Sequence, residues 1–226
     1  MIVTVARPVA QMRAAMMCDT PNVAGGMRRM SSDTAATRAF FGPRAATWED
    51  RFADDGPVYR QAVAELAAPP GGAVADVGCG TGRALEALRA AVGPAGTVAG
   101  FDLTAEMLTE AARRGRRAIG GLVLADALAL PLGTATLDAV FAAGLVSHLP
   151  DPVAGLAELA RVCRPGGRLA LFHPIGRAAL ARRHGRDPAA DDIRSPDRIR
   201  ALLAAAGWHC ESVDDAAHRY LVLATR

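Results

Sequence analysis

A carboxylate, three alternating glycines and the start of a helix stand together at residues 74–83, Val-Ala-Asp-Val-Gly-Cys-Gly-Thr-Gly-Arg. A short apolar strand runs into Asp76. Gly78, Gly80 and Gly82 follow, and a helical pattern (Ala84, Leu85, Leu88, Val92) begins at once. Glycines there permit a tight strand-to-helix turn and let a ligand lie directly against the backbone. The helix start offers unpaired N–H groups and the positive end of a dipole to an anionic group. Glycine loops of this kind occur in several nucleotide-binding families. The acidic residue two places before the first glycine narrows the choice. A phosphate gains nothing from a carboxylate there, whereas a ligand with an ammonium group does.

Two more aspartates follow apolar runs in the same way, Asp102 after 97–101 and Asp126 after 121–125. An aspartate after a strand often only caps a helix, but three at successive strand ends beside a glycine loop point to one shared ligand. An acidic residue at the end of the second strand accepts from ribose hydroxyls in dinucleotide-binding folds. His148 lies just past the strand at 137–142, and His173 ends the strand at 168–173 beside Pro174. A histidine titrates near neutrality, so His148 is either a general base or a hydrogen-bonding anchor for its loop. Cys79 reads as a small loop filler rather than a nucleophile.

The elements that must position these groups alternate between strand and helix. Apolar residues from Thr47 to Ala67, including Trp48, Phe52, Tyr59 and Val63, predict helices broken at Gly56-Pro57. Strands are expected at 73–77, 97–101, 121–125, 137–142 and 168–173, with a closing hairpin at 208–214 and 218–225. Thr104, Asp151-Pro152 and Ser195-Pro196 read as helix starts. Alternating strands and helices give a doubly wound α/β sheet with its ligand at the carboxyl ends of the strands. The segment 174–194, rich in Arg and Asp, is expected outside regular elements, as a loop over the ligand edge. Residues 1–30 carry six methionines and no periodicity. They read as an arm, mobile or an over-long start, with a short lid helix as the alternative. The domain proper is expected over 31–226, opening with helices within 43–68.

Composition sets outer bounds. The 226 residues fit one domain, 51% hydrophobic and 22% charged. No lysine occurs, which excludes lysine chemistry. A net charge of +3 with 4% aromatic residues argues against a nucleic-acid partner. The four scattered cysteines form no C-x-x-C pair, so neither a zinc site nor a disulfide framework is expected and a reducing cytoplasm is the default. Polar residues interrupt every long apolar run, so no membrane span is expected.

Asp-Val-Gly-Cys-Gly-Thr-Gly at 76–82 resembles the first motif of the class I S-adenosylmethionine-dependent methyltransferases. The likeness continues through Gly-Phe-Asp-Leu-Thr-Ala-Glu-Met-Leu at 100–108, Ala-Asp-Ala at 125–127 and Leu-Asp-Ala-Val-Phe at 137–141. Leu-Val-Ser-His-Leu-Pro-Asp at 145–151 and Arg-Val-Cys-Arg-Pro-Gly-Gly-Arg-Leu at 161–169 complete it. Together they cover about residues 45–225 and resemble the ubiquinone-biosynthesis-like, type 11 small-molecule branch. The resemblance implies a Rossmann-like seven-stranded sheet, mostly parallel, with an antiparallel last strand inserted beside the fifth. It implies S-adenosyl-L-methionine as methyl donor, bound by Asp76 (ammonium end), Gly78, Cys79 and Gly80 (loop), Asp102 (ribose), Leu103 and Met107 (about the adenine), Asp126 and Ala127 (adenine edge), and Gly144 and Leu145 (methionine portion). His148 would face the transferred methyl, with Arg44, Trp48, Tyr59 and His173 lining a small-molecule acceptor site. No metal is implied, and a monomer or homodimer is expected. Two other readings stay open from the residues, an NAD-dependent oxidoreductase and a non-catalytic S-adenosylmethionine-binding regulator. Against the first, Arg83 stands where the dinucleotide fingerprint wants Gly or Ala.

Overall fold

The apolar run Val98–Phe101, and the run Val74–Val77 interrupted only by the buried Asp76, are buried on both sides, as strands in the middle of a parallel sheet must be. A computed structural model describes residues 32–50, 55–187, 189 and 191–226. The strands are β1 (Ala73–Val77), β2 (Thr97–Asp102), β3 (Gly121–Leu124), β4 (Leu137–Ala143), β5 (Cys163–His173), β6 (His209–Ala216) and β7 (Arg219–Thr225). They form one seven-stranded sheet in the order β3-β2-β1-β4-β5-β7-β6. All neighbours from β3 to β5 are parallel, and β7 runs antiparallel between β5 and β6. This is the expected Rossmann-like sheet.

The helices are α1 (Ser32–Phe41), α2 (Gly56–Leu66), α3 (Leu85–Val92), α4 (Ala105–Arg113), α5 (Pro152–Val162), α6 (Arg177–Arg183) and α7 (Pro196–Ala205). On one face of the sheet, Ala62, Val63 and Leu66 of α2 and Leu85, Leu88 and Val92 of α3 pack on Val74, Phe141 and Phe172. On the other, Leu156 and Leu159 of α5 and Ile199 and Leu203 of α7 pack on Val140, Leu169 and Val222. Trp208 locks this second layer by donating its indole N–H to the Leu156 carbonyl at 2.9 Å. The strand order reverses between β1 and β4, which opens a crevice at their carboxyl ends.

Several expectations change. The N-terminal helices start earlier than the apolar pattern indicates: α1 precedes Thr47, and Gly42–Thr47 is a 3-10 helix. The α1 sequence, Ser-Asp-Thr-Ala-Ala-Thr-Arg-Ala-Phe-Phe, has little apolar periodicity, and tertiary contacts hold it. Arg38 donates from Nε to the Leu103 carbonyl at 3.0 Å, and Gly42 sits against the Glu106 side chain of α4. The 174–194 segment is not devoid of regular structure, since α6 lies within it. Gly176 allows this entry: a Cβ there would come within 1.9 Å of the Ala216 carbonyl. Arg177 then ties α6 to β6, through its backbone N–H to Asp215 Oδ1 and its Nε to Oδ2, both at 2.8 Å. Strand β5 begins at Cys163 rather than 168, with an irregularity in its register to β4. Asp151 caps α5 by accepting from Ala154 N–H, whereas Thr104 and Ser195 occupy cap positions without a side-chain bond. The arm at 1–30 lies outside the described residues.

Candidate active site

At the topological crevice a cavity of about 840 Å³ is lined by the ends of β1, β2, β4 and β5 and the loops behind them. Asp76 closes β1. It is 1% exposed, and its Oδ1 has no hydrogen-bond partner among the described residues. Burial, with the Asp102 charge adding to it, pushes its carboxyl up to about 8. A buried carboxylate left short of a partner is costly. A ligand cation would supply the missing charge.

The glycine loop turns over this carboxylate. Gly78 and Gly80 have φ of +74° and +54°, the left-handed region that glycine takes without strain. A Cβ on Gly78 would also press within 3.2 Å of Leu145 Cδ1, so the loop and the β4 segment touch at this point. Gly78 and Cys79 donate their N–H groups to the Phe101 carbonyl at 2.8 and 3.0 Å. Cys79 packs over Gly100, and burial raises its thiol, consistent with a filler rather than a nucleophile.

Asp102 ends β2. Its Oδ2 accepts the Gly80 N–H and its Oδ1 the Thr104 N–H, each at 2.8 Å, so it shapes the loop as well as facing the cavity. Burial raises its carboxyl while these N–H groups pull it back down. A carboxylate has lone pairs beyond these two bonds, enough to accept ligand hydroxyls. Asp126 turns the chain after β3 by accepting Leu128 N–H at 2.9 Å. Leu103, Met107, Ala127, Gly144 and Leu145 complete this end. The arrangement suits a ligand with a cationic end, a diol and a flat ring.

At the other end lie Trp48, Tyr59, His148 and His173. His148, in the 3-10 turn Val146–His148, meets Phe41 edge to face at 5.0 Å. Partial burial and the Arg194 charge lower its pKa, leaving it neutral at pH 7. His173 Nδ1 lies 2.7 Å from the Ile175 carbonyl, and burial lowers its pKa as well. Tyr59 packs edge to face on Phe172 at 4.8 Å, under the Arg83 guanidinium. Arg83 also pairs with Asp55 at 3.4 Å.

Arg44 does not join this group. It folds back over the Phe40 ring, 4.0 Å from the centroid, and donates to the Phe40 carbonyl. It is a solvent-side arginine of the 3-10 helix and is not among the residues that line the cavity, although the Phe40 ring beneath it is. The sequence missed Thr34, Thr37 and Phe41 on α1, Arg183 on α6, Arg194 and Tyr220, all of which line it. Of these, Arg183 and Arg194 fall in the Arg-rich 174–194 segment expected over the ligand edge, whereas Tyr220 carried no signal until the β5–β7 register set it opposite His173. Among the described residues no cluster of metal-ligating side chains occurs, and no helix is long and apolar enough to cross a membrane.

A family model described as a methyltransferase domain matches residues 75–171. The chain is 32% identical to the demethylmenaquinone methyltransferase of Roseiflexus castenholzii over 66% of its own length and 74% of that protein. It is 37% identical to a 2-phytyl-1,4-naphtoquinone methyltransferase of Synechococcus elongatus over half of each chain. In fold it is similar to the magnesium protoporphyrin IX methyltransferase ChlM of Synechocystis PCC 6803 crystallised with SAM. That likeness has a TM-score of 0.62 at 19% identity and covers 88% of this chain and all of that one. The chain spans between 32% and 59% of the length of the first five curated relatives it matches.

Proposed function

Because the chain belongs to the class I S-adenosylmethionine-dependent methyltransferases, we propose that it transfers a methyl group from S-adenosylmethionine to an O, N or C nucleophile of a small molecule. One observation carries the reading. Three aspartates at the ends of β1, β2 and β3 line a single cavity beside a glycine loop whose backbone is open to a ligand.

When bound, S-adenosylmethionine supplies a methyl carbon already activated by its sulfonium, and transfer is an in-line displacement. The protein's task is therefore alignment and exclusion of water. Asp76, with its unpartnered Oδ1, fits the ammonium end. The Gly78–Gly80 backbone lies along the amino-acid portion, and Gly144 and Leu145 pass beside it. Asp102 accepts from the ribose hydroxyls, Leu103 and Met107 flank the adenine, and Asp126 with the Ala127 N–H reads its edge. Phe41, Trp48, Tyr59 and Phe172 give the acceptor end apolar walls that shed water. His148 aligns the acceptor there, and His173 faces the same space. As a neutral imidazole, His148 accepts a proton only where the acceptor must lose one.

The quinone methyltransferases among the relatives support a small organic acceptor over a nucleic acid. Cys79, Cys163 and Cys210, the cysteines among the described residues, are free thiols, which supports action in a reducing cytoplasm. The chain works as a monomer or homodimer, and residues 1–30 are dispensable for donor binding.

Calorimetric titration with S-adenosylmethionine, S-adenosylhomocysteine and NAD tests the reading. The first two should bind and NAD should not. Tighter binding of NAD would overturn it.

A further inference from the structure

The lining carboxylates of the cavity are confined to one end, where Arg83, paired with Asp55, also lies. These three carboxylates, Asp76, Asp102 and Asp126, all belong to the β1–β3 end. At the end formed by β5, β7 and α6, no carboxylate lines it among the described residues. The polar lining there is Arg183, His184, Arg194, His148, His173 and Tyr220. Arg194 is already engaged, since its Nε and Nη2 reach Asp192 at 3.1 and 2.9 Å. Arg183, exposed in the last turn of α6, has no hydrogen bond or ion pair among the described residues.

Tyr220 supplies an independent sign. Its side chain is 1% exposed, and its hydroxyl has no hydrogen-bond partner among the described residues. Tyr220 pairs with His173 across β5 and β7, so both side chains stand on the same face of the sheet. A buried hydroxyl without a partner is a cost that a ligand oxygen would remove. The walls of this end are flat rings: Phe41 meets Trp48 at 5.4 Å, and Tyr59 meets Phe172 at 4.8 Å.

We infer, resting on the methyl-transfer reading, that the acceptor is an aromatic molecule bearing a carboxylate, its ring held by the Phe41–Trp48 wall beside His148 and its carboxylate by Arg183 and the Tyr220 hydroxyl. Such an acceptor is the electrostatic complement of a donor whose positive charges sit among the aspartates. An amine would meet the Arg183 guanidinium with no lining carboxylate beside it, and an acceptor without an oxygen there would leave the buried Tyr220 hydroxyl unpartnered.

The test uses 3,4-dihydroxybenzoate, its methyl ester and 3,4-dihydroxybenzylamine as probes. Turnover with labelled donor and titration into the protein saturated with S-adenosylhomocysteine are read side by side. The carboxylate should be preferred over the ester by about tenfold or more, the worth of one charge-assisted hydrogen bond, and the amine should be poorest. Arg183→Gln should erase most of that preference with S-adenosylhomocysteine affinity unchanged. Tyr220→Phe should reduce it while the melting temperature holds or rises, since no protein hydrogen bond is lost. Equal use of ester and carboxylate, no binding of either, or a preference that survives both variants overturns the inference. A lower melting temperature in Tyr220→Phe with the preference intact makes the hydroxyl structural and also overturns its role. Failure of the methyl-transfer reading shows separately, as a chain that binds no S-adenosylhomocysteine.

Discussion

Asp76 sets a stability cost against a binding gain. Unfolded, its carboxyl titrates near 4; folded, it keeps its proton up to about 8. Between those values the folded state binds more protons than the unfolded one, so stability falls as pH rises from about 4 to about 8 and levels off above. Calorimetry at pH 5 and pH 8 should therefore show Asp76→Asn raising the melting temperature of the free protein, and raising it more at pH 8. A bound cation favours the ionised carboxylate, so donor affinity should tighten between pH 6 and pH 8 in the native chain. The Asn variant should lose that trend. Asp102 acts differently, because its two oxygens already hold Gly80 and Thr104. Asp102→Ala removes the loop's brace together with the ribose acceptor proposed above, and should weaken donor binding by about 1–3 kcal/mol or more, read by titration. His148→Ala should raise the acceptor's Michaelis constant and spare donor affinity. A rate that climbs through the native histidine's lowered pKa and flattens in the variant would make it a base instead.

At the scale of elements, α1 and α6 line the end proposed for the acceptor, and each is held there by a few named contacts. Helix α1 brings Thr34, Thr37 and Phe41 to the cavity and is fastened by Arg38 to the Leu103 carbonyl, beside the adenine position. A chain beginning at Met30 should bind donor as the full chain does, whereas one beginning at Gly42 should bind it several-fold more weakly in the same titration. Helix α6 depends on Gly176 and on the pairing of Arg177 with Asp215. The clash facing any Cβ at 176 is with backbone, which cannot swing aside. Gly176→Ala should cost about 1–3 kcal/mol of stability in denaturant unfolding and raise the acceptor's Michaelis constant, leaving donor affinity largely intact.

For the whole molecule, the sheet places every site group at one edge, so ligand binding and folding are linked. S-adenosylhomocysteine at a hundred times its dissociation constant should stabilise the chain by about 2.7 kcal/mol, seen as a raised melting temperature, and NAD should leave it unmoved. A shift with NAD and none with S-adenosylhomocysteine would contradict the family's chemistry in this chain.

The donor end was legible in the chain because its groups are local. A strand end, a glycine loop and an aspartate are consecutive residues, and the period of the apolar runs fixed the strands that carry them. The order β3-β2-β1-β4-β5-β7-β6 then brings Asp76, Asp102 and Asp126 together by a rule of parallel sheets that holds for any such chain. The opposite end was legible only in part, in Trp48, Tyr59, His148 and His173, because its other groups come from segments with no common spacing. Arg44 and Arg183 look alike in sequence, yet the 3-10 turn sends one onto Phe40 and α6 sends the other to the cavity. Tyr220 reads as an ordinary strand residue until the β5–β7 register sets it opposite His173. Sequence determined the donor's cradle, since local backbone chemistry builds it. Tertiary packing decided which further side chains line the other end, since it is what brings α1 and α6 to the sheet's edge.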